Sequence, residues 1–150
     1  SRTDGRQPSV ESKLRLLTSL IDACPTNAFP NPYILDSGKC ISSLTIENRG
    51  EIPVDLRESI GEWVFGCVVG QEVCPFNRFA NETQWLELRT EAGVGPRLEL
   101  VEVLSISSDG EFRERFRGTA LLRPKRRGLL RNAAVVAANV GATATVPVLI

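Results

Sequence analysis

Two cysteines followed directly by proline constrain this chain more than any other feature. They sit in like surroundings, Ile21-Asp22-Ala23-Cys24-Pro25 and Gln71-Glu72-Val73-Cys74-Pro75. Proline has no amide hydrogen to give a helix and crowds the turn before it, so each pair stops any helix that runs into it. The chain is thereby cut into short pieces, and the apolar spacing agrees. Over 10–23, Val10, Leu14, Leu16, Leu17, Leu20 and Ile21 fall at helical gaps, which predicts a helix with one buried stripe, ended by Pro25. A turn-rich loop follows to Pro32, then a short extended piece at 33–35. Asp36 or Ser37 can cap a helix carrying Cys40, Ile41, Leu44 and Ile46 that ends near Gly50. Pro53 suits the first position of another helix, with Leu56 and Ile60 inward. Trp63, Val64 and Phe65 form a compact apolar run, and Gly66 to Pro75 reads as an irregular loop with a short turn of helix.

The second half has a different texture. Trp85, Leu86 and Leu88 belong to a short helix or turn, and Gly93, Gly95 and Pro96 mark the expected boundary between two segments. Leu98, Leu100, Val101, Val103 and Leu104 predict a helix over 98–104. Ser107, Ser108 and Asp109 are start signals for a helix with Phe112 and Phe116 one turn apart, closed by Gly118. A long helix is expected over 125–140, with Leu129, Leu130, Ala133, Val136, Ala137 and Val140 on one side and Gly141 at its end. A last segment runs from Ala144 to Ile150 with Pro147 inside it. The reading is a mostly α protein: a loose lead-in over 1–9, a cysteine-bearing module over 10–92, and a helical segment over 97–150. Paired short helices of this kind resemble helical repeats.

Composition narrows the chemistry. The 150 residues contain no histidine, which excludes a histidine triad, a histidine general base and histidine-rich zinc sites. Metal chemistry must rest on Cys24, Cys40, Cys67 and Cys74, with Asp or Glu. No apolar run approaches the ~20 residues of a membrane span. Gly93-Val94-Gly95-Pro96 lacks the lysine and context of a phosphate loop, Asn81-Glu82-Thr83 fits a glycosylation pattern only in a secreted setting, and no carboxylate pair has acid–base spacing. Catalytic residues are therefore not assigned. The net charge is zero, yet the window from Arg113 to Arg131 holds eight basic residues against one acid, Glu114, while 132–150 carries no charge. Such a band attracts a polyanion or an acidic neighbour through its local field, or is simply a solvated helical face.

Cysteine spacing supplies the sharper signal. Bacterial-type ferredoxins carry the run C-x2-C-x2-C-x3-C-P, whose last cysteine serves the other cluster of a pair. Counting back from Cys24 by that spacing meets Leu20, Leu17 and Leu14; counting back from Cys74 meets Gly70 and Cys67. The frame stands while several ligand positions are vacated.

With these motifs the sequence resembles the epoxyqueuosine reductases. The resemblance runs through Ile21 to Ala28, Pro32 to Asp36, Lys39 to Glu47, Pro53 to Cys67 and Gln71 to Asn77. It continues in Phe112 to Thr119 and Lys125 to Ala133, covering roughly residues 18–147. It implies a two-cluster ferredoxin-like module followed by the start of a HEAT-like helical-repeat tail. It also implies a place in tRNA queuosine modification, with a cobalamin held by an N-terminal catalytic domain that has no counterpart here. One [4Fe-4S] cluster would use positions 14, 17, 20 and 74, here Leu14, Leu17, Leu20 and Cys74. The other would use 24, 40, 67 and 70, here Cys24, Cys40, Cys67 and Gly70.

A cluster held by Cys74 alone is not expected, since leucine has no lone pair for iron. The three leucines are instead expected to fill space an iron–sulfur cube would occupy. Three thiolates can hold a [4Fe-4S] cluster with one open iron, a [3Fe-4S] cluster, or a zinc completed by water or Glu72. Alternatively the four cysteines are plain buried thiols, or form a disulfide in one of three pairings. For the basic window the resemblance implies tRNA phosphate contacts, with Arg123, Lys125, Arg126, Arg127 and Arg131 as candidates. The alternative is a non-catalytic structural or interaction subunit that kept the scaffold and lost the clusters, with a protein partner in place of RNA. The expected compartment is the cytoplasm, or an organellar matrix if Ser1 follows a removed targeting segment.

Overall fold

The computed structural model describes residues 18–149 apart from 90, 91 and 96, with the backbone alone at Arg78. The expected lead-in, the first part of the helix over 10–23 with Leu14 and Leu17, and Pro96 and Ile150 lie outside these residues. Among the described residues the architecture is helical and holds no strand; Asn31 and Ile34 form an isolated bridge. Helix α1 is seen over 18–23 and stops ahead of Pro25. Then come α2 (Ile41–Ile46), α3 (Val54–Arg57, running on as a 3₁₀ turn) and α4 (Val69–Glu72). After 3₁₀ turns at Asn77–Phe79 and Leu86–Leu88 follow α5 (Leu100–Leu104), α6 (Asp109–Arg115), α7 (Lys125–Asn139) and α8 (Val146–Leu149). None of the helices among the described residues is long and apolar enough to cross a membrane.

Helix α7 organises the packing because it buries two faces. Leu129, Ala133 and Ala137 join Val103, Leu104, Ile106, Phe112, Phe116 and Leu121 in one core. Val136, on the neighbouring face, closes a second core with Ile41, Ile52 and Ile60 from the cysteine-bearing half. The two halves thus share a helix and bury apolar surface against one another. Within the first core the Phe112 and Phe116 rings meet edge to face at 5.2 Å, the outcome of their i, i+4 spacing on α6. Ser108 caps α6 by accepting from the Glu111 amide at 3.2 Å, as its sequence position predicts.

Some boundaries differ from expectation, each for a local reason. The piece at 33–35 is not extended throughout: Tyr33 lies at φ +66 and Ile34 N donates to Asn31 O, a tight turn with Pro32 at its second position. Asp36 caps a turn rather than a helix, because its carboxylate accepts from Gly38 N at 2.9 Å and its carbonyl from Lys39 N and Cys40 N. Cys40 therefore stands at the N-cap of α2, and the helix ends at Ile46, where Asn48 folds back onto Gly50 N. Helix α5 begins at Leu100 rather than Leu98, and Val140 terminates α7. Ile52, 1% exposed, anchors the second core from a link where a lone apolar residue shows no periodicity.

Candidate metal centre and basic cleft

Three short elements bring three cysteines together. Cys24 follows α1, and the chain wraps around its sulfur: Ala28 N donates to Cys24 Sγ at 3.3 Å and Thr26 Oγ1 lies 3.7 Å away. Ala28 O then accepts from Asp36 N at 2.8 Å, so the loop returns and delivers Cys40 beside its own start. Cys67 arrives by another route. The hydroxyl of fully buried Thr45 accepts from Gly66 N at 3.0 Å, which seats the next residue, Cys67, alongside the helix that Cys40 opens. Gly66 turns there with φ +72, a conformation that suits glycine.

Cys24, Cys40 and Cys67 line one cavity of ≈ 170 Å³, together with Leu20, Ile41, Val69 and Gly70. All four cysteines are free thiols and half-buried. Burial pushes the Cys67 thiol up from its ordinary value; nearby Cys40, Cys24 and Glu72 add to the rise, against a lowering hydrogen bond from the Val69 backbone. Cys74 does not line this cavity. Leu20 does, half-buried, and lies against Gly70. Among the described residues, no three Cys, Asp or Glu side chains stand close enough to grip a single metal ion. Zinc demands sulfurs all ≈ 2.3 Å from one centre. A cluster that gives each thiolate its own iron tolerates a wider spread.

Support for this cavity comes from α7. Asn132, fully buried, donates through Nδ2 to Thr45 O at 2.7 Å and to Val64 O at 2.9 Å. It thereby ties together the two strips of chain that present Cys40 and Cys67. Sequence reading missed both Thr45 and Asn132. Each is a polar residue in a helix, and its partners are backbone groups far along the chain.

The basic candidates fall into two groups. Arg131 points inward: it donates to Leu44 O at 2.7 Å, to Asn48 O at 3.0 Å, to Gly50 O, and to Asn132 Oδ1. Burial, with Arg127 and Arg49 nearby, lowers its pKa. Arg126 pairs with Asp109 at 3.2 Å and donates to Ile106 O, tying α7 to α6. Arg123, Lys125 and Arg127 are exposed, Arg123 with Glu47 as a surface partner. Arg49, Lys125, Arg127 and Arg131 surround a cleft of ≈ 380 Å³ that also includes Glu51. Arg49, a lone cation in a loop, carried no sequence signal for this cleft.

Comparison with known proteins meets this geometry at the cysteines. Residues 21–77 match the 4Fe-4S double cluster binding domain. An epoxyqueuosine reductase of Pseudomonas aeruginosa is 45% identical over 132 residues, 88% of this chain and 36% of the relative. One from Cellulophaga algicola is 39% identical over 77% of this chain and 37% of its own length. A crystal structure of epoxyqueuosine reductase with a tRNA-Tyr epoxyqueuosine-modified stem loop superposes with a TM-score of 0.78 at 32% identity, covering 88% of this chain and 34% of that one. In sequence and fold, the chain is similar to part of an epoxyqueuosine reductase. It spans about a third of the length of the relatives it matches. The Bacillus subtilis epoxyqueuosine reductase, in a form with a catalytic loop swung out of the active site, superposes over 98% of this chain with a TM-score of 0.76 at 28% identity. The double-cluster match begins at Ile21, one residue after Leu20, and ends at Asn77, so it takes in all four cysteines.

Proposed function

We propose that this chain is the cluster-carrying and tRNA-binding portion of an epoxyqueuosine reductase-type protein, with one cluster site kept in reduced form and the other abandoned. In this reading 10–92 is a ferredoxin-like module and 97–150 opens a HEAT-like tail, and the protein works where tRNA is modified, in the cytoplasm or an organellar matrix. The observation that carries it is the gathering of Cys24, Cys40 and Cys67 around one cavity inside the double-cluster match. An iron–sulfur cluster there supplies one-electron transfer at a potential set by burial and hydrogen bonds to sulfur. Each of the three sulfurs would bind one iron as thiolate; the Thr45 and Asn132 bonds hold the strips of chain that carry Cys40 and Cys67. The other site does not fit a cluster: Cys74 stands without the cavity's other thiols, and Leu20 offers only hydrocarbon. For RNA, exposed Arg123, Lys125 and Arg127 are the contact candidates, while Arg126 and Arg131 shape the surface that carries them.

A non-catalytic interaction subunit is the second reading. It is favoured by the apolar side chains left outside both cores: Phe79 is 85% exposed, Leu88 70% and Trp85 69%. One preparation separates the two. Protein purified anaerobically and reconstituted with iron and sulfide is expected to be brown, to hold acid-labile sulfide, and to shift a tRNA anticodon stem loop in a salt-dependent manner. A colourless, iron-free protein that ignores RNA overturns the first reading in favour of the second.

A further inference from the structure

Two positions at which the double-cluster frame calls for cysteine touch one another. Leu20 comes from α1 and Gly70 from α4. A Cβ on Gly70 would stand 2.6 Å from Leu20 Cδ1, well inside ordinary carbon contact. Backbone conformation does not demand glycine here, since Gly70 lies within α4 and is absent from the positive-φ glycines. The leucine has taken the space a side chain at 70 would use. Both residues line the cavity that holds Cys24, Cys40 and Cys67.

We propose that Leu20 plugs the fourth corner of the three-cysteine cavity, so that the site accepts an iron–sulfur cluster through three thiolates and three irons. The second half of this proposal rests on the cluster-carrying reading above. A fourth iron at that corner would meet a methyl group, which has no lone pair to give. Three ferric ions and four sulfides assemble into a core of charge +1 with no added oxidant or reductant. Cys24, Cys40 and Cys67 supply its terminal ligands. Leu20 and Gly70 then form a coupled pair. A side chain at 70 drives the Leu20 tip aside, and that tip has the cavity itself to move into. Restoring a cysteine at 70 alone therefore does not restore a four-iron site.

The test compares the full chain with Gly70→Cys, Leu20→Ala and the double variant after anaerobic reconstitution with ferric iron and sulfide. Wild type is expected to hold about three irons for every four sulfides, as a [3Fe-4S] core. Gly70→Cys should gain no iron, and Leu20→Ala/Gly70→Cys should gain one. A four-iron wild type, or a four-iron Gly70→Cys, overturns the plug. A metal-free readout runs alongside. Gly70→Ala should be less favourable to the melting temperature of the iron-free protein in the wild type than on the Leu20→Ala background, by a difference of about 2 °C. Equal shifts on both backgrounds also overturn the plug. Iron-free proteins throughout, with the thermal coupling intact, overturn the cluster reading and leave Leu20 as a purely structural plug.

Discussion

Asn132 shows how a single side chain can set the geometry of a site it does not line. Its amide is fully buried, both Nδ2 bonds end on backbone carbonyls, and its Oδ1 accepts from Arg131 Nε at 3.1 Å and Nη2 at 2.8 Å. An Asn132→Ala change strands Thr45 O and Val64 O in the interior and loosens Arg131. Each buried carbonyl left without a donor costs about 1–3 kcal/mol, so the variant should lose roughly 2–4 kcal/mol in urea unfolding. It should also bind less iron on reconstitution, because the strips bearing Cys40 and Cys67 lose their common tie. An unchanged urea midpoint would show that the bonds carry little weight. The sequence made the cysteines legible, since their spacing is a local pattern with a known chemical use. Asn132 and Arg131 were not legible as structural groups. In sequence Arg131 reads as a candidate for tRNA phosphate and Asn132 carries no signal, and their partners Leu44, Thr45, Asn48, Gly50 and Val64 lie on the other half of the chain.

At the scale of elements, local signals proved dependable where a cap defines the helix. Ser107, Ser108 and Asp109 mark the start of α6 in sequence, and Ser108 is its N-cap; the helix ends at Arg115, ahead of Gly118, which turns at φ +73. Glu111 accepts from Ser107 N and Ser107 Oγ, both at 3.0 Å, and these bonds hold its carboxyl below the usual glutamate range. A carboxyl with a folded pKa below its unfolded value stabilises in full above the unfolded pKa and loses that contribution as pH falls through the folded one. Helix α6 should thus loosen in the acid range beneath the ordinary glutamate pKa. Glu111→Gln should flatten the acid limb of a stability–pH curve, and an identical limb in the variant removes this account. Ser108→Ala should cost about 1 kcal/mol at neutral pH. Helix α7 carries the opposite kind of information. Its first residue, Lys125, sits at φ +63, a left-handed conformation that costs an L side chain about 1–2 kcal/mol. Nothing in Pro124-Lys125-Arg126 announces it. Lys125→Gly should relieve the strain and raise the melting temperature by about 2–4 °C. In the proposed RNA role it should also weaken binding, so stability and affinity move in opposite directions.

Across the whole molecule, the legible part was the mostly helical architecture and the cysteine frame; how the halves meet was not. Across the boundary expected at Gly93 and Gly95, Val136 of α7 packs with Ile41, Ile52 and Ile60, and Asn139 donates to Arg57 O and Gly61 O. Apolar periodicity tells which face of a helix is buried and not what it is buried against. Seven of the eight basic residues between Arg113 and Arg131 are arginine, and the structure divides their work. Arg115 lies against the Phe116 ring and pairs with Glu102, while Arg126 and Arg131 bond to backbone carbonyls. Charge removal should sort them. Replacing Arg123, Lys125 and Arg127 together by glutamine should leave the fold intact and lower the log–log salt slope of tRNA stem-loop binding by about 2–3, given roughly 0.7–0.9 per phosphate contact. Replacing Arg131 alone should instead lower stability, because Leu44 O, Asn48 O and Gly50 O lose a common donor, and should weaken RNA binding only as far as the protein unfolds. Filter binding across a salt series, with unfolding curves for the same variants, separates the two behaviours. A triple variant with the wild-type slope would place the RNA contacts elsewhere on the molecule, and an Arg131→Gln protein of full stability would make that guanidinium available for phosphate.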